Sequence, residues 1–362
     1  MRILDRLLFK TIFRSYIFIL AVFIGLYFII DIFTNLSDFF QTKPPLKVLT
    51  EYYLLMLPLI FLRVSPLAIL ISVLYSFGEF NKNNEILSMR SSGISRLRIS
   101  TPIIIFTVFL SFFSLFLQEK ILANSQKRVE EIKMKFIQKS FSLVKEETNI
   151  AFTSGNMIFF VGKFLPKKGI LQNAIIFKED ANRNIEKKIS CKELTYENGK
   201  WQGRDISEYR LDSKGNILGI PRHYATKEIP IEEKPQEIIL KKSIFAQFAS
   251  LKSLRREMKR LKKIKAKNLL SNLTIDYHKK LADPFSHFFL IIGILPLALE
   301  IKKRKVALSS LGVGFIFGFV YYAFSSFSIA LGKAGIILPI FSAWLAPLFF
   351  LSVGLSGLSL IR

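Results

Sequence analysis

The sequence predicts an α-helical polytopic membrane protein: six transmembrane helices, with a β-jellyroll or β-sandwich domain outside the membrane between the third and fourth. Three observations predict it. Hydrophobic residues fill 51% of the 362 positions, and 36 are Phe, which exceeds the share of about 45–50% usual for soluble domains. The excess lies in long runs near both ends, while residues 119–280 read as ordinary charged sequence. Within that middle block, short β-prone segments alternate with turn signals. The chain accordingly divides into 1–118, 119–280 and 281–362.

A spanning helix needs about 20 mostly apolar residues, because lipid offers its backbone groups no partners. Six windows qualify, at 13–33, 52–77, 99–117, 281–299, 306–331 and 336–361. Arg2, Arg6, Lys10 and Arg14 precede the first, as in a signal peptide. Its apolar stretch is long and lacks a small-residue cleavage site, so it is expected to remain as a helix. The second window carries Arg63 between Pro58 and Pro66. A charge at that depth costs about 2.5–3.5 kcal/mol on insertion scales, so Arg63 should face a cavity or an acidic partner, and the prolines could kink the span. The fifth window is aromatic, with Phe315, Phe317, Phe319, Tyr321, Tyr322, Phe324 and Phe327. Core packing explains these as well as a lipid-facing wall does.

Loop charge orients the spans. With the N-terminus cytoplasmic, that side collects Arg2, Arg6, Lys10, Arg14, Lys82, Arg90, Arg96, Arg98, Lys302, Lys303, Arg304, Lys305 and Arg362. The opposite short loops hold only Lys43, Lys47 and Lys333. Both termini are therefore expected in the cytoplasm and the middle domain outside. That domain is itself basic, but long domains translocate largely regardless of charge.

The middle block opens with helical spacing, Ile121, Leu122, Val129, Ile132 and Phe136. Strands are expected at 149–152, 157–163, 173–178, 189–196, 204–211 and 237–240. Turn signals separate several of them, among them Ser154-Gly155-Asn156, Asn198-Gly199 and Lys214-Gly215-Asn216. A basic helix follows over 251–266, with Leu251, Leu254, Met258 and Leu261 on one stripe. It suits a solvated helix with one packed face, or a contact for anionic lipid phosphates.

Composition excludes several function classes. The net charge of +25 is accounted for by juxtamembrane Lys and Arg and a general Lys-rich bias, so no nucleic-acid partner is expected. Cys191 is the sole cysteine, and His223, His278 and His287 are scattered. Neither a metal site nor a Ser/His/Asp constellation is suggested. No G-x-x-x-x-G-K-[ST] phosphate loop occurs, so any energy from a nucleotide must enter through another subunit. Catalytic residues, metals and cofactors are all expected to be absent.

Between the second and third windows, residues 79–95 read EFNKNNEILSMRSSGIS and end at a plausible helix stop, Gly93. A short helix at the membrane surface is expected, with Phe80 and Leu87 toward the protein and Lys82, Glu85 and Ser92 open to a partner. The stretch from Asn84 to Ser95 resembles the coupling-helix motif of the lipopolysaccharide-export permease family, LptF/LptG. Leu4-Asp5-Arg6 with Lys10-Thr11-Ile12-Phe13 is similar to the LptG branch. The run from Tyr277 to Pro284, with Leu295-Pro296-Leu297, is similar to the start of the family's fourth span.

The resemblance covers nearly the whole chain, and it implies function and partners. Such a permease pairs with its paralogue, LptF if this chain is LptG, on a cytoplasmic LptB ATPase dimer that binds the ATP. It draws lipopolysaccharide from the inner membrane into a periplasmic LptC/LptA bridge. Glu85, Leu87, Met89, Arg90 and Gly93 would then form the ATPase-coupling segment. Lys43, Lys47 and Arg63 would be the substrate-binding candidates. Asp31 and Asp38 at the end of span one depart from the family's basic pattern there. A membrane-anchored assembly or sensor protein is the alternative, distinguished by whether an ATPase co-purifies.

Overall fold

A computed structural model describes residues 3–133, 147–154, 156–165, 168–179, 185–197, 199–211, 217–231, 235, 250–263, 267–300 and 306–360. Among them, six helical stretches are long and apolar enough to cross a membrane: Ile3–Thr34, Leu46–Lys82, Arg96–Leu122, Leu270–Leu299, Leu308–Lys333 and Pro339–Leu360. The first is α1; the second, α3, follows a short α2 (Leu36–Thr42). A seven-residue α4 (Glu85–Ser91) links α3 to α5 (Arg96–Phe116), which runs on through a π turn, Leu117–Leu122, into α6 (Ala123–Ile132). After the sheet come α7 (Leu251–Lys263) and α8 (Lys267–Ala282), then a 3-10 turn, Asp283–Phe285, leading into α9 (Ser286–Glu300). Then come α10 (Val306–Lys333) and α11 (Pro339–Leu360). Phe136, the Lys302–Lys305 loop, Arg2 and Arg362 lie outside the described residues.

The fourth span begins at Leu270, well before the expected residue 281. Asp276, Lys279 and Lys280 depress the hydropathy there, yet all three line a cavity, while Ile275 and Ala282 are buried. A one-sided helix is thus embedded further than its average polarity suggests. The second span stays helical through both Pro58 and Pro66.

α3 is the centre of the bundle. Ala68, Ile69, Leu70, Val73, Leu74 and Phe77 are all buried and belong to one cluster with Leu8, Ile12 and Tyr16 of α1, Ile103 of α5 and Leu290, Ile294 and Leu295 of α9. Lipid tails are as apolar as Leu, so helix association here rests on close packing rather than on exclusion of water. α11 and α9 approach until their backbones touch: a Cβ at Gly354 would stand 2.2 Å from the Ile292 carbonyl oxygen. Only glycine fits there.

The extramembrane strands form one six-stranded antiparallel meander, in the order β1-β2-β3-β4-β5-β6. They are β1 (Glu147–Ser154), β2 (Met157–Leu165), β3 (Ile170–Glu179), β4 (Ile185–Glu197), β5 (Lys200–Leu211) and β6 (Ile217–Ile229). The last was not expected, and the strand expected at 237–240 lies outside the described residues. β6 contains Gly219 and Pro221, which argue against a strand by propensity. It is an edge strand, however, where a missing N–H costs no ladder bond.

A crease crosses this sheet. Pairing is interrupted at Asn149, Gly162, Asn173, Lys192, Asp205 and Ala225 in successive strands. Asn173 and Asp205 there take left-handed φ values of 53° and 55°. The buried positions change phase across it, from Val161, Ala174, Cys191 and Ile206 on one side to Phe164, Leu171, Leu194 and Trp201 on the other. Side chains alternate with period two, so each of these odd steps moves the inward face to the other parity. The pairing register is the same on both sides, so the crease is a change of face and not an inserted residue. Cys191 sits beside the crease, its Sγ 3.0 Å from the Glu193 carbonyl and 3.3 Å from that of Arg204. Burial pushes its thiol pKa up; it is a strand residue.

Candidate functional site

Two features at opposite ends of the bundle carry functional geometry. The first is α4. Asn84 takes a left-handed φ of 58° before it, turning the chain sharply out of α3, and Asn83 Nδ2 reaches Glu85 Oε1 at 3.4 Å. At the other end, Gly93 N–H donates to the Arg90 carbonyl at 2.9 Å, and Ile94 N–H to that of Met89 at 3.1 Å. With Gly93 at φ 81°, this is the paired closure that ends a helix on a left-handed residue. The Met89 and Ile94 side chains both pack on the bundle core, which completes the motif's apolar contact.

Burial corrects one expectation. Ile86, 3% exposed, faces the protein with Phe80, whereas Leu87 is 53% exposed and points outward. On a helix, residues three and four apart share a face, so Ile86 and Met89 anchor α4. Leu87 and Arg90 share its outer side, with Glu85 half-buried at its edge. The segment therefore shows an acidic, an apolar and a basic group together on a firmly seated turn. Met89 belongs to the anchoring face rather than to the outward one.

The second feature is a cavity of about 390 Å³ near the end of the bundle that carries the sheet. Arg63 of α3, Ser114 and Gln118 of the third span, and Leu254 of α7 line it with Asp276, Lys279, Lys280, Asp283 and His287 of the fourth span. Arg63 faces this cavity, one of the two alternatives expected for it, and its Nη1 donates to the Tyr27 hydroxyl of α1 at 3.1 Å. Asp276 is matched to Lys333 at 3.7 Å. Arg63, Lys279, Lys280 and Asp283 supply the rest of the cavity's charged lining.

The wall behind the cavity is fixed by a buried hydrogen-bond chain. His287 Nδ1 lies 2.9 Å from the Pro284 carbonyl, which can only accept, so Nδ1 carries the proton. Nε2 then accepts from Ser65 at 2.8 Å, and Ser65 in turn accepts from the Tyr16 hydroxyl at 2.7 Å. Spans one, two and four are thereby tied at one level. Gln118 Nε2 adds a bond to the Lys280 carbonyl at 2.7 Å. Glu119 accepts the Leu251 N–H at 3.0 and 3.1 Å, which holds the start of α7 against the cavity rim.

Lys43, just after α2, and Lys47, in the first turn of α3, are exposed and do not line this cavity. Sequence reasoning missed Lys279 and Lys280 as site residues. Their signal was available: Asp276, Lys279, Lys280, Asp283 and His287 recur at helical spacing on one face.

Comparison with known proteins assigns the chain. A family model described as "Lipopolysaccharide export system permease LptF/LptG" matches residues 6–360. The chain belongs to this family. The LptF/LptG match takes in α4, all six candidate spans and the sheet, and the protein is accordingly a multi-pass inner-membrane protein. The chain is also 30% identical over 218 residues to an uncharacterized protein of Aquifex aeolicus (strain VF5). That alignment covers 56% of this chain and 56% of the relative, so little more than half of each is compared.

Proposed function

We propose that this permease extracts lipopolysaccharide from the inner membrane, driven by a separate cytoplasmic ATPase of the LptB type that binds the ATP and docks on α4. The carrying observation is the presentation of Leu87 and Arg90 outward, with Glu85 at their edge, from a turn whose other face, Ile86 and Met89, is packed into the bundle. A seated helix of this kind transmits force, because a push on it cannot be absorbed by local bending. The bias of Lys and Arg supports α4 and both termini on the cytoplasmic side and the sheet in the periplasm.

The cavity serves the cargo in this proposal. Arg63, Lys279 and Lys280 hold phosphate groups of the lipid head, as charge-assisted donors, and Lys43 and Lys47 meet it further out. A paralogous permease completes the enclosure. Spans one and five leave much of their apolar surface uncovered, which suits such a partner. The Leu4-Asp5-Arg6 and Lys10-Thr11-Ile12-Phe13 segments favour the LptG role, with LptF as partner and an LptC/LptA bridge receiving the lipid from the sheet.

Co-purification tests the docking. The wild-type chain should bring down a cytoplasmic ATPase, and Glu85→Arg should abolish that association while the thermal unfolding midpoint stays unchanged. An ATPase that stays bound to the variant, with transport intact, refutes the assignment of α4.

A further inference from the structure

We infer that Asp5 and Asn81 are positioning residues that carry movement of α4 into spans one and four, and so to both sides of the cavity. The inference rests on the proposal that an ATPase docks on α4, and it assigns a role to the otherwise unexplained Leu4-Asp5-Arg6 segment.

α4 is clamped on both flanks. On the α3 side, Asn81 is 7% exposed, and its Nδ2 lies 3.3 Å from the Ala298 carbonyl and 3.2 Å from that of Leu299. These carbonyls belong to the last turn of α9, where a helix leaves its acceptors without internal donors. Asn81 supplies the donor and fastens the end of span four to the foot of α4. On the α5 side, Ser95 caps the helix through the Arg98 N–H, and Arg98 Nη2 donates to Asp5 Oδ2 at 2.8 Å. The Asp5 side chain is only 12% exposed and that of Arg98 32%. The pair is therefore far better shielded than a surface ion pair, and its geometry is defined.

The two connections lead to the same place. α1, held through Asp5, carries Tyr27 against Arg63. α9, held through Asn81, carries His287 in the cavity wall. Displacement of α4 would thus reach a partner of the cavity's Arg63 and the cavity wall itself through two helices and the short turns that join them to α4.

The experiment uses the complete complex, with ATPase and partner permease, reconstituted in vesicles containing lipopolysaccharide. ATPase association, basal ATP turnover and lipid extracted per ATP are scored separately. Asp5→Asn and Asn81→Leu should keep association and basal turnover, yet lower extraction per ATP by about tenfold, within the range of known coupling factors. Asp5→Glu and the reversed pair Asp5→Arg with Arg98→Asp should restore the ratio. Unchanged extraction per ATP in both single variants overturns the inference, as does failure of both rescues. Absence of the ATPase from the wild-type complex refutes the docking proposal instead, and is recognised before any coupling ratio is measured.

Discussion

Replacing Arg63 by Gln should weaken lipid binding strongly while leaving the stability of the fold unchanged, and the two effects can be separated on structural grounds. Among the described residues Arg63 is held by a hydrogen bond to Tyr27, and Gln keeps a donor near that phenol. Arg63 is exposed in a polar cavity, so loss of its charge should leave the thermal midpoint in detergent unchanged. Binding, by contrast, responds. A hydrogen bond between charged groups is worth about 1.5–3 kcal/mol, and about 1.4 kcal/mol is tenfold in affinity. The expected loss is therefore about 10- to 150-fold. The assay is equilibrium binding of lipopolysaccharide to the purified permease in nanodiscs, repeated with enzymatically dephosphorylated lipid. Wild type should lose affinity for the dephosphorylated lipid, and Arg63→Gln should lose much less, since the contact is already gone. Equal affinities of variant and wild type for intact lipid would refute the phosphate role. So would dephosphorylation that weakens both proteins by the same factor.

Three further outcomes are expected. Gly354→Leu forces side-chain atoms into the Ile292 carbonyl; overpacking typically costs about 1–3 kcal/mol, so the unfolding midpoint should fall, and an unchanged midpoint would contradict the backbone contact. Glu208 accepts from Lys227 at 2.7 Å and lies 3.1 Å from Lys187, and Lys227 foremost holds its carboxyl below the usual range against partial desolvation. Its contribution is present above the unfolded value, about 4.3, and disappears as pH falls through the lower folded value. Glu208→Gln should thus destabilise at neutral pH and converge with wild type in acid, in denaturant unfolding followed by Trp201 fluorescence in a Trp344→Phe background; a pH-independent difference would sink this. Cys191, 2% exposed with its thiol pKa raised by burial, should react with maleimide only once the sheet is unfolded. Rapid labelling of the native protein, read by mass spectrometry, would show the crease to be open.

The legible parts of the fold were those written in local pattern. Six apolar runs announced six spans, because the bilayer demands length and continuity of any segment that crosses it. Gly93 announced the end of α4, because few residues other than glycine accept its φ. β1, β2, β3 and β5 were legible mainly on one side of the crease, where a phase change at Asn173 and Asp205 breaks the alternation on which strand recognition depends, whereas β4 was legible across it. β6 was hidden by Pro221, which is tolerated only because that strand lies at an edge.

By itself the sequence determined the number of spans, the turn that holds Glu85 and the uneven charge of the loops. Each of these depends on residues close together in the chain and on a uniform solvent, water or lipid. Only the tertiary structure decided that Arg63 shares a cavity with Lys279 and Lys280, that Leu87 points outward while Ile86 is anchored, and that Asp5 meets Arg98. Those are meetings between separate helices. Their geometry is set by packing angles and close backbone approaches, such as Gly354 on Ile292, that no local pattern encodes.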